Sequence, residues 1–174
     1  MKPHALIVVL AAVSLAGPSG AQPPKAVRLP GYQAPMPLDS GGVNTILPAP
    51  PGAVFWATRQ VLFEFGIPAP MADSAMGYLV NPRFIKLRSL GGSPLSTYLH
   101  CGSGMTGPNA DSFRVTIAIS ALIEPAGAGA SRFRLTMLAG AESTEGVSKS
   151  AVACGSSGVL EERILRAVRT RLPR

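Results

Sequence analysis

The run Phe113–Ala141, FRVTIAISALIEPAGAGASRFRLTMLAGA, decides the fold. Phe113, Val115, Ile117, Ile119, Ala121 and Ile123 alternate with Arg114, Thr116, Ala118 and Ser120. Pro125 and the Gly127–Gly129 region make a turn, after which Phe133, Leu135, Met137, Ala139 and Ala141 alternate with Arg132, Arg134 and Thr136. A period of two sends successive side chains to opposite faces, so the run reads as a long antiparallel hairpin with one apolar and one polar face. The odd-numbered set belongs against a core. A one-residue slip would expose all of it, which specifies the register. The even-numbered set is committed to the opposite face, and nothing in the sequence is evident to cover it.

Helical patterns flank this hairpin. Val54, Thr58, Val61, Leu62 and Phe65 share one helical face, with Gly66 placed as a left-handed C′ residue, Ile67 as its hydrophobic contact and Pro68 as the stop. Trp56 and Phe63, seven apart, lie off that stripe and are expected to cover the flank of the core; a partner-facing aromatic pair is the alternative. At the far end, Leu160, Ile164, Leu165, Val168 and Leu172 make the apolar face of a helix from about Val159 to Leu172. Glu161 and Glu162 stand near its start and five arginines follow, which suits the helix dipole. Between these, Met76–Val80 and Arg83–Leu87 read as two strands separated by an Asn81-Pro82 turn, with Ile85 and Leu87 alternating against Lys86 and Arg88. Ser93-Pro94 suggests an N-cap and N1 pair opening a short helix through His100, with a strand over Leu95–Cys101 as the alternative. The fold class is therefore α+β: a two-layer sandwich, a mostly antiparallel sheet with the N- and C-terminal helices packed on one face.

The N-terminal third reads differently. Lys2, the apolar run ALIVVLAAVSLA at Ala5–Ala16, and Ser19-Gly20-Ala21 form the n-region, h-region and small-residue cleavage pattern of a secretory signal, residues 1–21. The run is too short to span a bilayer, which takes roughly 20 residues. Residues 22–51 hold eight prolines, with Gly31, Gly41 and Gly42, and no hydrophobic period. They are expected to be an extended Pro/Gly-rich disordered tether. Residues 52–174 are then the single folded domain.

Cys101 and Cys154 are the chain's two cysteines. In an exported protein an even count reads as a disulfide, here with only one possible connectivity. Twelve Arg and four Lys against nine acidic residues give a net charge of +7. No Lys/Arg-rich run marks a nucleic-acid site, so nucleic acid is not an expected partner. The positive character could instead meet an anionic envelope component. Arg114, Arg132 and Arg134 on the polar face of the hairpin, joined by Lys86 and Arg88 if the neighbouring strand pairs alongside, are the candidate anion- or partner-binding face. Arg163, Arg166 and Arg169 make a basic stripe on the last helix.

Chemical motifs are sparse. Gly102-Ser-Gly-Met-Thr-Gly107 matches G-x-G-x-x-G but is followed by Pro108 and then a strand, not by the helix that a pyrophosphate requires. His100 has no evident acid–base partner, and Asp73, Asp111, Glu124, Glu142 and Glu145 show no pairing. No catalytic, cofactor-binding or metal site is assigned, and no cofactor is expected.

Leu95, Tyr98, Leu99, Cys101 and Gly102, followed by Cys154, Gly158, Leu160, Glu161 and Ile164, resemble uncharacterised exported small-domain proteins of GC-rich bacteria over about residues 52–172. That resemblance implies no activity. The order of elements is also similar in layout to the helix-grip domains of outer-membrane β-barrel assembly lipoproteins, although this chain lacks their lipid-bearing cysteine. The expectation is an exported, periplasmic or extracellular, non-catalytic envelope module that binds an anionic envelope component or another envelope protein. The alternative is a small secreted hydrolase-like enzyme whose site is not readable.

Overall fold

Alternation across Phe113–Ala141 builds the two central strands of a seven-stranded antiparallel sheet. The structure is a computed structural model that describes residues 22–39, 41–144 and 150–173. The expected signal segment, residues 1–21, and Glu145 lie outside the described residues. In chain order the principal elements are β1 (Val43–Leu47), α1 (Pro51–Glu64), β2 (Met71–Asp73), β3 (Tyr78–Leu87), β4 (Leu99–His100), α2 (Asn109–Ser112), β5 (Arg114–Pro125), β6 (Ser131–Glu142), β7 (Ala151–Ser156) and α3 (Val159–Arg171). Sheet order is β2-β3-β5-β6-β7-β4, and β1 pairs with the first half of β6 on the side that β7 occupies at its second half. The chain is thus an α+β sandwich of the expected class.

The odd-numbered residues from Val115 to Ile123 in β5 and from Phe133 to Ala141 in β6 are buried, and with them Val54, Phe55, Val61 and Leu62 of α1 and Leu160, Ile164, Leu165 and Val168 of α3 form one core. Helix α1 ends as its sequence requires. Gly66 adopts φ +67°, and the Ile67 N–H donates to the Leu62 carbonyl at 2.9 Å, the six-to-one bond of a Schellman turn. Ile67 itself is buried. In the first turn of α3 Glu161 is buried and accepts a hydrogen bond from Ser156 Oγ at 2.7 Å, a carboxylate placed where the helix dipole favours negative charge. Cys154 of β7 is disulfide-bonded to Cys101, the residue that follows β4, with Cα atoms 4.2 Å apart. The bond adjoins the Gly155–His100 pair and so staples the short β4 to β7.

Three expectations need correction. The first concerns residues 22–51, which are not separate from the domain. Val27, Leu29 and Leu38 are buried against Val80 and Ala118, with Tyr32, Met71, Tyr78 and Leu138 around them. Residues 22–39, with 41 and 42, form a strap over the even-numbered face, closed on itself by a two-residue ribbon in which Ala26–Val27 pair with Met36–Pro37. β1 joins the sheet, and α1 begins at Pro51. The strap can lie this close because the residues beneath it are small. A Cβ on Gly140 would lie 2.0 Å from the Pro30 carbonyl oxygen, and one on Gly31 would lie 2.0 Å from the Val152 carbonyl carbon. Tyr32 also donates its hydroxyl to the Cys154 carbonyl at 3.0 Å. The even-numbered face is therefore covered through its middle, where Thr116, Ala118 and Thr136 are buried, and open only at its ends.

The second concerns Asn81-Pro82, which is no turn. β3 runs straight through it, with a bulge opposite Ala118 that absorbs the proline where a ladder bond is already missing. The bulge shifts the alternation. Phe84 faces the helices, whereas Ile85 and Leu87 face away from them and are 49% and 57% exposed. The third concerns residues 94–100, where a single 3-10 turn at Leu95–Thr97 is followed by β4, a part of each alternative. Asp111 ties that turn down by accepting from the Ser96 N–H at 2.9 Å and the Ser96 hydroxyl at 2.6 Å.

Candidate interaction surface

The expected basic face does not assemble. Arg114 stands opposite Glu142 at one end of the hairpin, while Arg132 stands opposite Glu124 at the other. Ten residues of strand separate those positions, about 33 Å at the usual rise. Arg134 is joined to Glu124, Nη2 to Oε2 at 3.0 Å, and so brings little free charge. Lys86 pairs with Val115 and therefore lies on the helix side of the sheet, not beside Arg114. Arg88, with φ +65°, lies past the end of β3, where the chain turns into the ribbon of Ser89–Leu90 with Ser93–Pro94. Arg132 and Arg134 alone remain neighbours.

Arg163 also leaves the basic stripe expected on α3. Its guanidinium lies between the rings of Phe65 and Tyr98, 5.6 and 5.7 Å from their centroids. It donates to Ser93 Oγ at 3.0 Å and to the Tyr98 hydroxyl. Two ring faces and two hydroxyl acceptors hold the cation here. Its place is structural: it ties α3 to the end of α1 and to the ribbon at residues 89–94. The glycine motif at Gly102–Gly107 forms another small ribbon, and Pro108 leads into the single turn of α2 rather than directly into a strand; the Asn109 amide donates to the Cys101 carbonyl at 3.1 Å, and Met105 is fully exposed at the ribbon's tip.

What the structure does present is the outer face of α1. The buried residues Val54, Phe55, Ala57, Thr58, Val61 and Leu62 occupy the inner arc of the helix. Trp56, Arg59, Gln60 and Phe63, at i, i+3, i+4 and i+7, make the outer arc and line a shallow open depression. Trp56 is 57% exposed and Phe63 82%, against the expectation that they cover the core. Both belong on one side of the helix because seven residues make nearly two turns. The Arg59 guanidinium lies 5.3 Å from the Trp56 ring centroid, and the Trp56 ring meets buried Phe55 edge-on at 5.4 Å. The indole is thus braced on one side and topped by a cation on the other. No family model, curated protein or solved structure matches this chain. The surface must therefore be read from its own chemistry. Among the described residues, no group of three or more His, Cys, Asp or Glu is placed to hold a metal ion, and no helix is long and apolar enough to cross a membrane.

Sequence reasoning singled out Trp56 and Phe63 and gave them to the core. The signal against that was available. Six core positions on one 14-residue helix already fill the inner arc, which leaves residues at 56, 59, 60 and 63 on the other side.

Proposed function

We propose that the chain is a non-catalytic binding module of an exported compartment, and that it engages an acidic partner protein through the outer face of α1. One observation carries the reading: two large aromatic side chains stand out from a packed helix with an arginine stacked on one of them. Trp and Arg are enriched at the energetic centres of protein interfaces, and an exposed aromatic pair on a rigid element loses little entropy on binding. The basic balance of the chain, +7, supports an acidic partner by steering encounter. The disulfide is compatible with an oxidising compartment.

Trp56 is the only tryptophan in the chain, so its emission reports directly on this surface. The double variant Trp56→Ala, Phe63→Ala is expected to keep its unfolding midpoint, because both side chains are exposed, and to lose capture of a discrete partner from envelope extract. Truncating one such anchor typically costs about 2 kcal/mol or more, roughly thirtyfold in affinity. Capture should weaken with added salt and should blue-shift the Trp56 emission. Unchanged capture by the double variant refutes the reading. Binding to anionic phospholipid vesicles without any protein partner would make the surface a lipid one. An intact mass beginning at Gln22, measured on protein recovered from the envelope or medium, tests the exported half of the proposal; retention of residues 1–21 overturns it.

A further inference from the structure

The geometry points to a second docking place, independent of α1: the outer edge of β3 at Phe84–Leu87 takes up an extended polypeptide segment of alternating apolar and acidic residues as an added strand. β3 is ten residues long, but its outer neighbour β2 pairs only with Tyr78, Leu79 and Val80. On the inner side Phe84–Leu87 pair with Arg114–Ile117 of β5. Their outer side has no strand partner among the described residues. An open strand edge is a row of amide and carbonyl groups at fixed spacing, and an extended peptide is the shape that satisfies it. The edge ends at Arg88, whose left-handed backbone turns the chain away.

The side chains along the edge define what the added strand must carry. Ile85 and Leu87 lie exposed on the face away from the helices, sharing it with Thr116 and Arg114 across the ladder. Lys86 lies on the other face beside the end of α1, its Nζ 3.8 Å from where a Gly66 Cβ would stand. A strand laid alongside alternates with the same period of two. Apolar residues then meet Ile85 and Leu87, and a carboxylate meets Lys86. Charge selects the occupant further. Arg83, Lys86 and Arg88 fall within six residues with no acid among them, and none is ion-paired among the described residues. Edge-to-edge pairing with a second copy would double that cationic set in one ladder without a single carboxylate. Charged side chains on an edge are a common guard against such self-pairing, and they leave an acidic strand as the one the edge accepts.

The test uses the chain from residue 22 to 174, isotope-labelled and titrated with a capped nine-residue peptide alternating Val and Glu. Two controls are the peptide with Lys in place of Glu and the Val–Glu peptide N-methylated at alternate backbone nitrogens. The expected result is chemical-shift change and slowed amide exchange confined to residues 83–88 and their neighbours in β5. The Glu peptide should bind at least tenfold more tightly than either control, and Lys86→Glu should reverse the preference between Glu and Lys peptides. The Trp56→Ala, Phe63→Ala variant should bind the Glu peptide as the parent chain does, so the two surfaces fail separately. Equal binding of Glu and Lys peptides, indifference to Lys86→Glu, or shifts centred on another surface would overturn the inference. So would a concentration-dependent dimer that protects the same amides without peptide, which would assign the edge to a second copy.

Discussion

Replacing Gly140 by alanine tests how the strap is held. Gly140 sits in β6 between Thr116 of β5 and Ala153 of β7, on the face that the strap covers. It is not among the glycines with positive φ, so alanine meets no backbone strain, and within a strand it is favoured over glycine by about 0.5–1 kcal/mol. The obstacle is the strap alone. The new Cβ would lie 2.0 Å from the Pro30 oxygen, and reaching ordinary contact at 3.4 Å requires a withdrawal of roughly 1.4 Å. That movement is opposed on both sides of Pro30. Leu29 is 5% exposed, Gly31 is pressed against Val152, and the Tyr32 hydroxyl is bonded to Cys154. Overpacking of this kind costs about 1–3 kcal/mol, and loss of the Tyr32 bond about 0.5–1.5. The strap can peel away as a unit, which caps the total, so we expect a net destabilisation of about 1–3 kcal/mol. Urea unfolding followed by far-ultraviolet circular dichroism should show a lower midpoint. A smaller m would mean that the strap is already off in the folded state, because less surface remains to expose. Limited proteolysis should cut within residues 22–42 under conditions that spare the parent chain. Gly52→Ala, in open space on α1, is the control and should not lower stability. A Gly140→Ala chain with parental midpoint, m and proteolysis would refute the packing argument.

Three further outcomes are expected. Cys154→Ser should destabilise by about 4 kcal/mol in the chain-entropy model, since the bond closes a 53-residue loop, and its urea midpoint should match that of the reduced parent chain. Arg88→Gly should raise the thermal midpoint, because left-handed backbone costs a non-glycine residue about 1 kcal/mol; a lower midpoint would show that the Arg88 side chain contributes more than its backbone costs. Burial raises the Tyr32 phenol above its ordinary 10.0. The folded chain therefore keeps that proton where the unfolded chain has lost it, so this contribution is complete below about pH 10 and declines as the pH rises through the raised value. Tyr32→Phe should flatten that part of the alkaline slope of the urea midpoints, and an unchanged slope would show that Tyr32 does not contribute to it.

The features legible in the sequence were those with a strong local period or a local stop. Phe113–Ile123 and Phe133–Ala141 declare their faces by strict alternation, and Gly66-Ile67-Pro68 ends α1 by chemistry contained in three residues. The strap was not legible because its buried residues, Val27, Leu29 and Leu38, follow no period of their own; the sheet beneath dictates their spacing. A faint signal existed on the other partner. Thr116, Ala118, Thr136 and Gly140 are unusually small for a solvent-facing set, which suits backbone lying close above them. Ile85 and Leu87 were given to the wrong face because one bulged residue reverses every alternation after it, and the sequence reads Asn81-Pro82 equally well as a turn or a bulge. The basic face failed for a related reason. Alternation says which side an arginine faces, but the distance along the strand decides whether two arginines can act together.

The strap joins the two ends of the chain's history. Its contacts span the sequence: Tyr32 to Cys154 is 122 residues apart and Gly41 to Thr136 is 95. The strap leaves the ribosome early; Val80 and Ala118, against which its apolar residues pack, follow before residue 119, but Thr136, Gly140 and the Cys154 carbonyl, which it also meets, come only after residue 130. Loop closure over such separations slows folding. A chain cut short before residue 131 would hold Val80 and Ala118 but not Leu138, Gly140 or Cys154, so Val27, Leu29 and Leu38 would have only part of their cover and the strap would lack its hydrogen bonds with Thr136 and Cys154, a nascent segment half seated rather than part of a finished fold.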